Sequence, residues 1–283
     1  MTVGDDHNPA SAPVPPPAFE NGMVRIRRCR HGSFMYLASD IYVGLSLELY
    51  GEYSETEVTF FRQVIRPGAV VVDCGAHIGA LTVPLAHLVG PQGRVVAFEP
   101  QRQLFQLLCG NVALNNFANV YCYQRAVAET EGSVVVPLVD YTQAQNFGLV
   151  IMGNDGPGER VMSLPIDALN LPACHFMKID VQGNELGALK GAARTIAAHR
   201  PVLYVENDVA DKSDALIAHL LSLNYQLWRH TPHFYDPGNF FGRVENVFGN
   251  RGSFNLICFP AELRASVGGL PPIRRPSDWE MPT

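Results

Sequence analysis

The stretch VVVDCGAHIG, residues 70–79, followed by RVVAFEP, residues 94–100, decides the fold of this chain. A run of valines ends in Asp73 and turns through Gly75 and Gly79 into a helical pattern near 79–89, and a second apolar run ends in Glu99. Glycine permits a tight turn that brings backbone N–H groups at a helix N-terminus close to a ligand. Glu99 comes 20 residues after Gly79, where an acid at a strand end accepts hydrogen bonds from ribose hydroxyls. Either motif alone also occurs in crossovers that bind nothing. In tandem they describe a site for a nucleoside-containing cofactor, built from Asp73, Gly75, Ala76, His77, Gly79 and Glu99.

A dinucleotide fold expects G-x-G-x-x-G so that the helix N-terminus can meet a pyrophosphate, and position 77 is His. Asp73 would repel a pyrophosphate but attract the α-amino group of a methionyl moiety. S-adenosylmethionine is therefore favoured over NAD.

Outward from this core, short apolar runs alternate with helical stretches. VYCYQRAV (120–127) reads as a third strand, HFMKID (175–180) and PVLYVEN (201–207) as further strands each followed by a helix, and YQLWRHT (225–231) with SFNLICF (253–259) as paired edge strands. Continuous rather than alternating hydrophobic strands argue for a parallel sheet covered on both faces. SVVVPL (133–138) and RVMSLPI (160–166) read as an antiparallel insert. After Asp180, Leu186, Leu189, Ala193 and Ile196 are expected on one face of a single helix.

The implied organisation is a disordered Pro-rich tail over 1–20, an N-terminal cap over 21–66, a cofactor-binding domain over 67–260 and an irregular tail over 261–283. In the cap, SETEVTFFRQVI (54–65) reads as a helix capped by Ser54 with Glu57 three residues on, the spacing of a capping box.

DCGAHIG, AFEP, NVALNN, KIDVQGNE and LKGA, in this order from about Gly51 to Pro260, resemble the FkbM family of S-adenosylmethionine-dependent methyltransferases. The resemblance implies a class I methyltransferase fold, α/β and Rossmann-like, with a mostly parallel seven-stranded sheet whose last strand is antiparallel and helices on both faces. It also implies methylation of oxygen on small molecules or sugars. His77 stands where the family commonly has Asn, and Gln182 where it commonly has Glu.

In an open parallel sheet the ligand lies beyond the carboxyl ends of the strands. Asp180 should therefore face the same crevice as Asp73 and Glu99, as a cofactor contact or as the catalytic group, and Glu206 and Asn207 follow at the next strand end. Carboxylates there could hold the acceptor hydroxyl, serve as general base or bind a divalent cation; the spacing leaves these open, although no dense acidic cluster argues for a required ion. RHTPHFYDPGNFFG (229–242) offers a long aromatic loop to roof the pocket, with His233 as an alternative base and Tyr235 and Asn239 as acceptor contacts. Glu185, in the first helical turn, is a further candidate acceptor contact or simply complements the helix dipole. His230 and His233 are too isolated for zinc, and Cys174 beside His175 reads as packing.

Composition narrows the partners. With 47% apolar and 17% charged residues the chain has the profile of a globular protein. A net charge of −6 without a basic stripe disfavours nucleic acid and leaves a small-molecule acceptor as the expected partner. The six cysteines form no CxxC pair, which fits a reducing cytoplasm, and the N-terminal residues lack the charge and apolar core of an export signal. Residues 74–93 carry no Lys, Arg, Asp or Glu, but their histidines, proline and glycines disfavour a membrane span. Two rivals stand beside the methyltransferase: a nicotinamide oxidoreductase, disfavoured by His77, and a nucleoside-binding module without catalysis, which Gln182 keeps open.

Overall fold

A computed structural model of the chain describes residues 15–153 and 155–279. It opens with a small antiparallel sheet of β1 (Phe19–Asn21), β2 (Val24–Cys29) and β3 (Gly32–Leu37), followed by α1 (Val43–Tyr50) and α2 (Glu55–Val64). The main sheet begins with β4 (Val70–Cys74), α3 (Thr82–Val89), β5 (Arg94–Phe98), α4 (Arg102–Leu114) and β6 (Val120–Tyr123). A second small sheet then forms from β7 (Ala126–Val127), β8 (Gly132–Pro137) and β9 (Gly158–Leu164). The main sheet resumes with β10 (Phe176–Ile179), α5 (Glu185–Gly191), α6 (Ala193–His199), β11 (Val202–Glu206), α7 (Ala210–Ser222), β12 (Tyr225–His230), β13 (Asn255–Pro260) and β14 (Pro272–Ile273).

The main sheet runs β14-β12-β13-β11-β10-β4-β5-β6, with β11, β10, β4, β5 and β6 parallel and β13 antiparallel to both its neighbours. This is the expected mostly parallel Rossmann-like sheet. Its strands are apolar on both faces because both are covered. Val72, Met177 and Leu203 join the cluster with Leu189, Ile196, Leu216 and Ile217 of the helices on one side. Val71, Phe176 and Tyr204 join Val58, Phe61, Leu85 and Val89 on the other.

Several expectations are corrected. The sheet has eight strands, not seven, because Pro272–Ile273 of the supposed irregular tail pairs with β12, and Trp279 beyond it is buried in the core. SFNLICF is not an edge strand: β13 lies between β11 and β12. VYCYQRAV splits, its end leaving the main sheet to pair with β9. The helix after Asp180 breaks at Ala192, so Leu189 and Ile196 are buried while Ala193 is exposed. At the N-terminus, residues 1–14 of the expected disordered tail lie outside the described residues, whereas Phe19 and Glu20 are in β1, paired with Ile26 and Arg25.

The capping box at Ser54 does not form. Ser54 takes a left-handed conformation and its side chain caps nothing; only its carbonyl accepts from the Glu57 and Val58 N–H groups. Glu57 turns away because it shares a helix face with Phe60 and Phe61 and is buried with them, where Ser253, just before β13, and Asn255, at its start, satisfy it better than a helix-end N–H would.

Phe61 locks α2 to the sheet: its ring is fully buried, edge-on to Phe176 and Tyr204 at 5.1 Å each. Phe61→Ala should cost about 3–5 kcal/mol of stability in urea unfolding, as cavity-forming aromatic truncations do. A loss below about 1 kcal/mol would show that α2 is only loosely held.

Candidate active site

The carboxyl ends of β4, β5, β10 and β11 open into a cavity of about 1020 Å³, at the upper end of the range for ligand sites. Its walls come from the turn after β4, the end of β5, the β10–α5 turn and the segments before β13 and around Phe234.

The turn after β4 is woven into its neighbours. Gly75 and Ala76 N–H groups donate to the Phe98 carbonyl at 3.0 and 2.8 Å, and Asp180 N–H donates to the Cys74 carbonyl at 3.1 Å. Gly75 has φ +80°, and a Cβ there would collide with the Asp180 carbonyl oxygen, so the close approach of the two strand ends requires glycine. His77 follows at φ +52°, a region in which Asn and His are over-represented, and its N–H donates to Glu99 Oε2 at 2.8 Å while Gln101 N–H donates to Oε1 at 2.8 Å. Burial pushes the Glu99 carboxyl up to about 7 despite these two donors. Gly75, Ala76, His77 and Glu99 all line the cavity. Burial lowers the His77 ring, whose nitrogens have no hydrogen-bond partner among the described residues.

Two of the expected cofactor residues sit beneath this wall. Asp73 is fully buried and off the cavity; its Oδ2 accepts from Thr82 Oγ1 at 2.7 Å and its Oδ1 lies 3.5 Å from Lys178 Nζ, so it is not offered to a ligand amino group. Gly79 packs against Leu108.

On the opposite wall Lys178, buried in β10, donates to Asp180 Oδ2 at 3.1 Å and to the Gly75 carbonyl at 3.2 Å. Burial opposes the Asp180 charge, but the Lys178 ammonium together with hydrogen bonds from Glu206, Lys178 and Gln182 outweighs it and holds the carboxyl below its usual range. Glu206 is the reverse case: burial and the neighbouring Asp180 charge raise it well above its ordinary value. Gln182, at φ +53°, bridges the pair through one amide nitrogen, 3.2 Å from Asp180 Oδ1 and 3.0 Å from Glu206 Oε2. The structure thus brings Asp180 and Glu206 together. His233 reaches the cavity from the roof, its Nδ1 3.2 Å from the Asn250 carbonyl.

The expected acceptor contacts are elsewhere. Glu185 is buried with Oε1 accepting from Val181 and Gly183 N–H at 3.1 and 2.9 Å, which braces the β10–α5 turn from behind. Asn207 donates to Ser213 Oγ at 2.9 Å and faces a smaller pocket behind that turn. The Tyr235 hydroxyl donates to the Val244 carbonyl at 2.9 Å, and Asn239 binds the Asp236 and Arg243 carbonyls, so both stabilise their own loop. None of the four lines the main cavity.

Other lining residues escaped the sequence reading. Lys178 had a visible signal, an ammonium inside the apolar run FMKI. Glu57 had one too, since its spacing of three and four from Phe60 and Phe61 puts it on the buried helix face. Phe234 belongs to the aromatic loop expected to roof the pocket, whereas Tyr42, Tyr53, Ser253 and Asn255 had no signal, because long-range packing alone brings them to the cavity. Among the described residues no three His, Cys, Asp or Glu side chains are grouped as metal ligands, and no helix is long and apolar enough to cross a membrane.

Burial pushes the Glu57 carboxyl from 4.5 up to about 7. Between those values the folded chain keeps a proton that the unfolded chain has released, so this group's contribution to stability is present in acid and lost as pH rises through about 7. Glu57→Gln cannot ionise. Relative to that variant, the wild type should lose on the order of 1–3 kcal/mol between about pH 5 and pH 8 in urea unfolding, and a constant difference would mean that Glu57 titrates as an ordinary carboxylate.

Residues 73–227 match the methyltransferase FkbM domain. Among solved structures, the chain is similar to methyltransferase FkbM from Methylobacillus flagellatus KT, with 22% identity over 71% of this chain and 50% of that one and a TM-score of 0.45. It thus spans half the length of that protein. Precorrin-6y C5,15-methyltransferase from Geobacter metallireducens GS-15 gives 13% identity over 73% and 87% of the two chains and a TM-score of 0.46. A SAM-dependent O-methyltransferase from Thermotoga maritima gives 14% identity over 83% and 76%, with a TM-score of 0.43. The domain match extends from the end of β4 into β12 and takes in the turn after β4, Glu99, Asp180 and Glu206, and on that match the chain belongs to the FkbM family of methyltransferases.

Proposed function

We propose that this methyltransferase uses S-adenosylmethionine to methylate a hydroxyl oxygen of a small molecule. The observation that carries the proposal is the juxtaposition, across one cavity, of the Gly75–His77 turn and Glu99 with the Asp180–Gln182–Glu206 cluster. The first wall fits a nucleoside: its backbone approaches the cavity where glycine keeps it bare, and Glu99 retains lone pairs beyond the two N–H groups it accepts. Gly75, Ala76, His77 and Glu99 are the residues we assign to the cofactor. When bound, S-adenosylmethionine supplies an electrophilic methyl on a sulfonium leaving group.

The chain's own residues then position the acceptor and handle its proton. An alcohol is a poor nucleophile, so alignment and a proton acceptor carry the reaction. Asp180, kept ionised by Lys178, is the group we assign to orient the hydroxyl and take its proton. Glu206, raised by burial and by the Asp180 charge, accepts a hydrogen bond from Gln182 beside it. His233 on the roof is the other candidate base. A small molecule suits the cavity better than nucleic acid, since five carboxyls line it, those of Glu57, Glu99, Asp180, Glu206 and Asp208.

Two variants test these roles. Glu99→Ala should weaken S-adenosylhomocysteine binding in calorimetry by about 1.5–3 kcal/mol, the value of a hydrogen bond to a charged acceptor; unchanged affinity would remove Glu99 from the cofactor site. Asp180→Asn should lower turnover, read as S-adenosylhomocysteine release with an accepted alcohol, by on the order of 10²- to 10⁴-fold while cofactor affinity changes much less. Collapsed binding with normal residual turnover would instead make Asp180 a cofactor ligand. Cofactor binding without methyl transfer to any acceptor would point to a binding module.

A further inference from the structure

The far end of the cavity is built from parts that lie outside the family domain. Tyr42 and Tyr53 come from the N-terminal segment and Phe234 from the roof; the Phe234 ring lies 5.0 Å from that of Tyr42 and stacks on that of Tyr53 at 5.9 Å, and all three line the cavity. Beside them Glu57, only 4% exposed, accepts from Ser253 Oγ at 2.8 Å and Asn255 Nδ2 at 3.2 Å. Asn255 is the register partner of Glu206, so Glu57 sits next to the Asp180–Gln182–Glu206 cluster. Asp208 completes this end, with a buried Oδ1 that has no hydrogen-bond partner among the described residues.

Carboxyl groups outnumber buried cations at this end. Lys178 is its buried cation, and that ammonium is already engaged by Asp180, the Gly75 carbonyl and Asp73. Of the cavity's two arginines, Arg125 follows β6, at the opposite edge of the parallel strands, and Arg251 is exposed. A divalent ion would need several carboxylates converging at bonding distance, which the described residues do not provide. Aromatic faces flanked by carboxyls suit instead an organic cation, whose hydrocarbon packs on the rings while its N–H groups meet the acids.

We infer that this end of the cavity selects an acceptor carrying a protonated amine apart from its reacting hydroxyl, with Glu57 as the residue that sets the preference. The inference rests on the methyltransferase reading above, which places the reacting hydroxyl at Asp180. The amine is an anchor: a protonated nitrogen has no lone pair to attack a methyl group, so transfer still occurs at oxygen. Tyr42, Tyr53, Glu57 and Phe234 all lie outside residues 73–227, the range of the domain match.

The test uses the full chain with saturating S-adenosylhomocysteine at about pH 8, where cyclohexylamine stays protonated as a lysine does, and compares it with neutral cyclohexanol by ligand-observed NMR titration. Cyclohexylammonium should bind about tenfold or more tightly than cyclohexanol in the wild type, and Glu57→Gln should remove most of that preference. A second variant, Phe234→Leu, should weaken the ammonium more than the alcohol, by about threefold or more, since only the cation uses the ring quadrupole. Both variants should hold S-adenosylhomocysteine within about twofold of wild type, which also reports that they fold. Equal binding of amine and alcohol by the wild type, or an unchanged preference in Glu57→Gln, overturns the inference. Failure of the methyltransferase reading shows separately, as a wild type that binds no S-adenosylhomocysteine; the amine-to-alcohol ratio on the protein alone then decides whether this end prefers a cation.

Discussion

The ammonium of Lys178 holds the active end of this protein together. Removing such a charge from water costs several kcal/mol, and it stays charged only because three groups surround it: Asp180 at 3.1 Å, the Gly75 carbonyl at 3.2 Å and Asp73 at 3.5 Å. Those contacts join the turn after β4 to the end of β10, the two walls of the cavity. They also set the protonation of the site. Lys178 helps hold the Asp180 carboxyl below its usual range, and the Asp180 charge, added to burial, raises that of Glu206. One buried lysine therefore stands behind two neighbouring carboxyls that are shifted in opposite directions.

The cavity is closed by segments far apart in sequence. The connection between β12 and β13 has no regular strand or helix and would be free to swing were it not tied to the N-terminal elements. Glu52, buried behind α1, accepts from Phe240 N–H at 2.8 Å, Arg30 donates to the Gly238 carbonyl at 2.6 Å, and the Tyr50 hydroxyl both donates to the Glu245 carbonyl and accepts from Val247 N–H at 2.9 Å. Tyr235 and Asn239 satisfy this loop's own carbonyls. The polar residues of RHTPHFYDPGNFFG thus mostly supply partners for backbone groups that an irregular segment would otherwise leave unpaired.

Glu185 and Asn207 show why a polar residue at a strand end is an ambiguous signal. Both follow strands whose carboxyl ends open on the cavity, yet their side chains face backward, one to the N–H groups of its own turn and one to Ser213. A ligand and an orphan backbone donor call for the same chemistry, and only the direction of the side chain separates them.

What the sequence by itself determined is the part built from contiguous residues. The valine run and Gly75 require a strand and a tight turn, Glu99 and Asp180 must each follow the end of an apolar strand, and continuous apolar runs require a sheet covered on both faces; all of these follow from local sterics and burial. Tertiary structure alone decided the rest. It drew Asp73 under Lys178 and away from the cavity, turned Glu57 from a helix cap into a cavity wall, and added Pro272–Ile273 to the sheet edge. It also brought Tyr53 and Phe234, 181 positions apart (234 less 53), into a stack. The physical reason is common to all four: each depends on which distant group satisfies a buried charge or covers an exposed edge, and residue spacing carries no information about partners so far away in the chain.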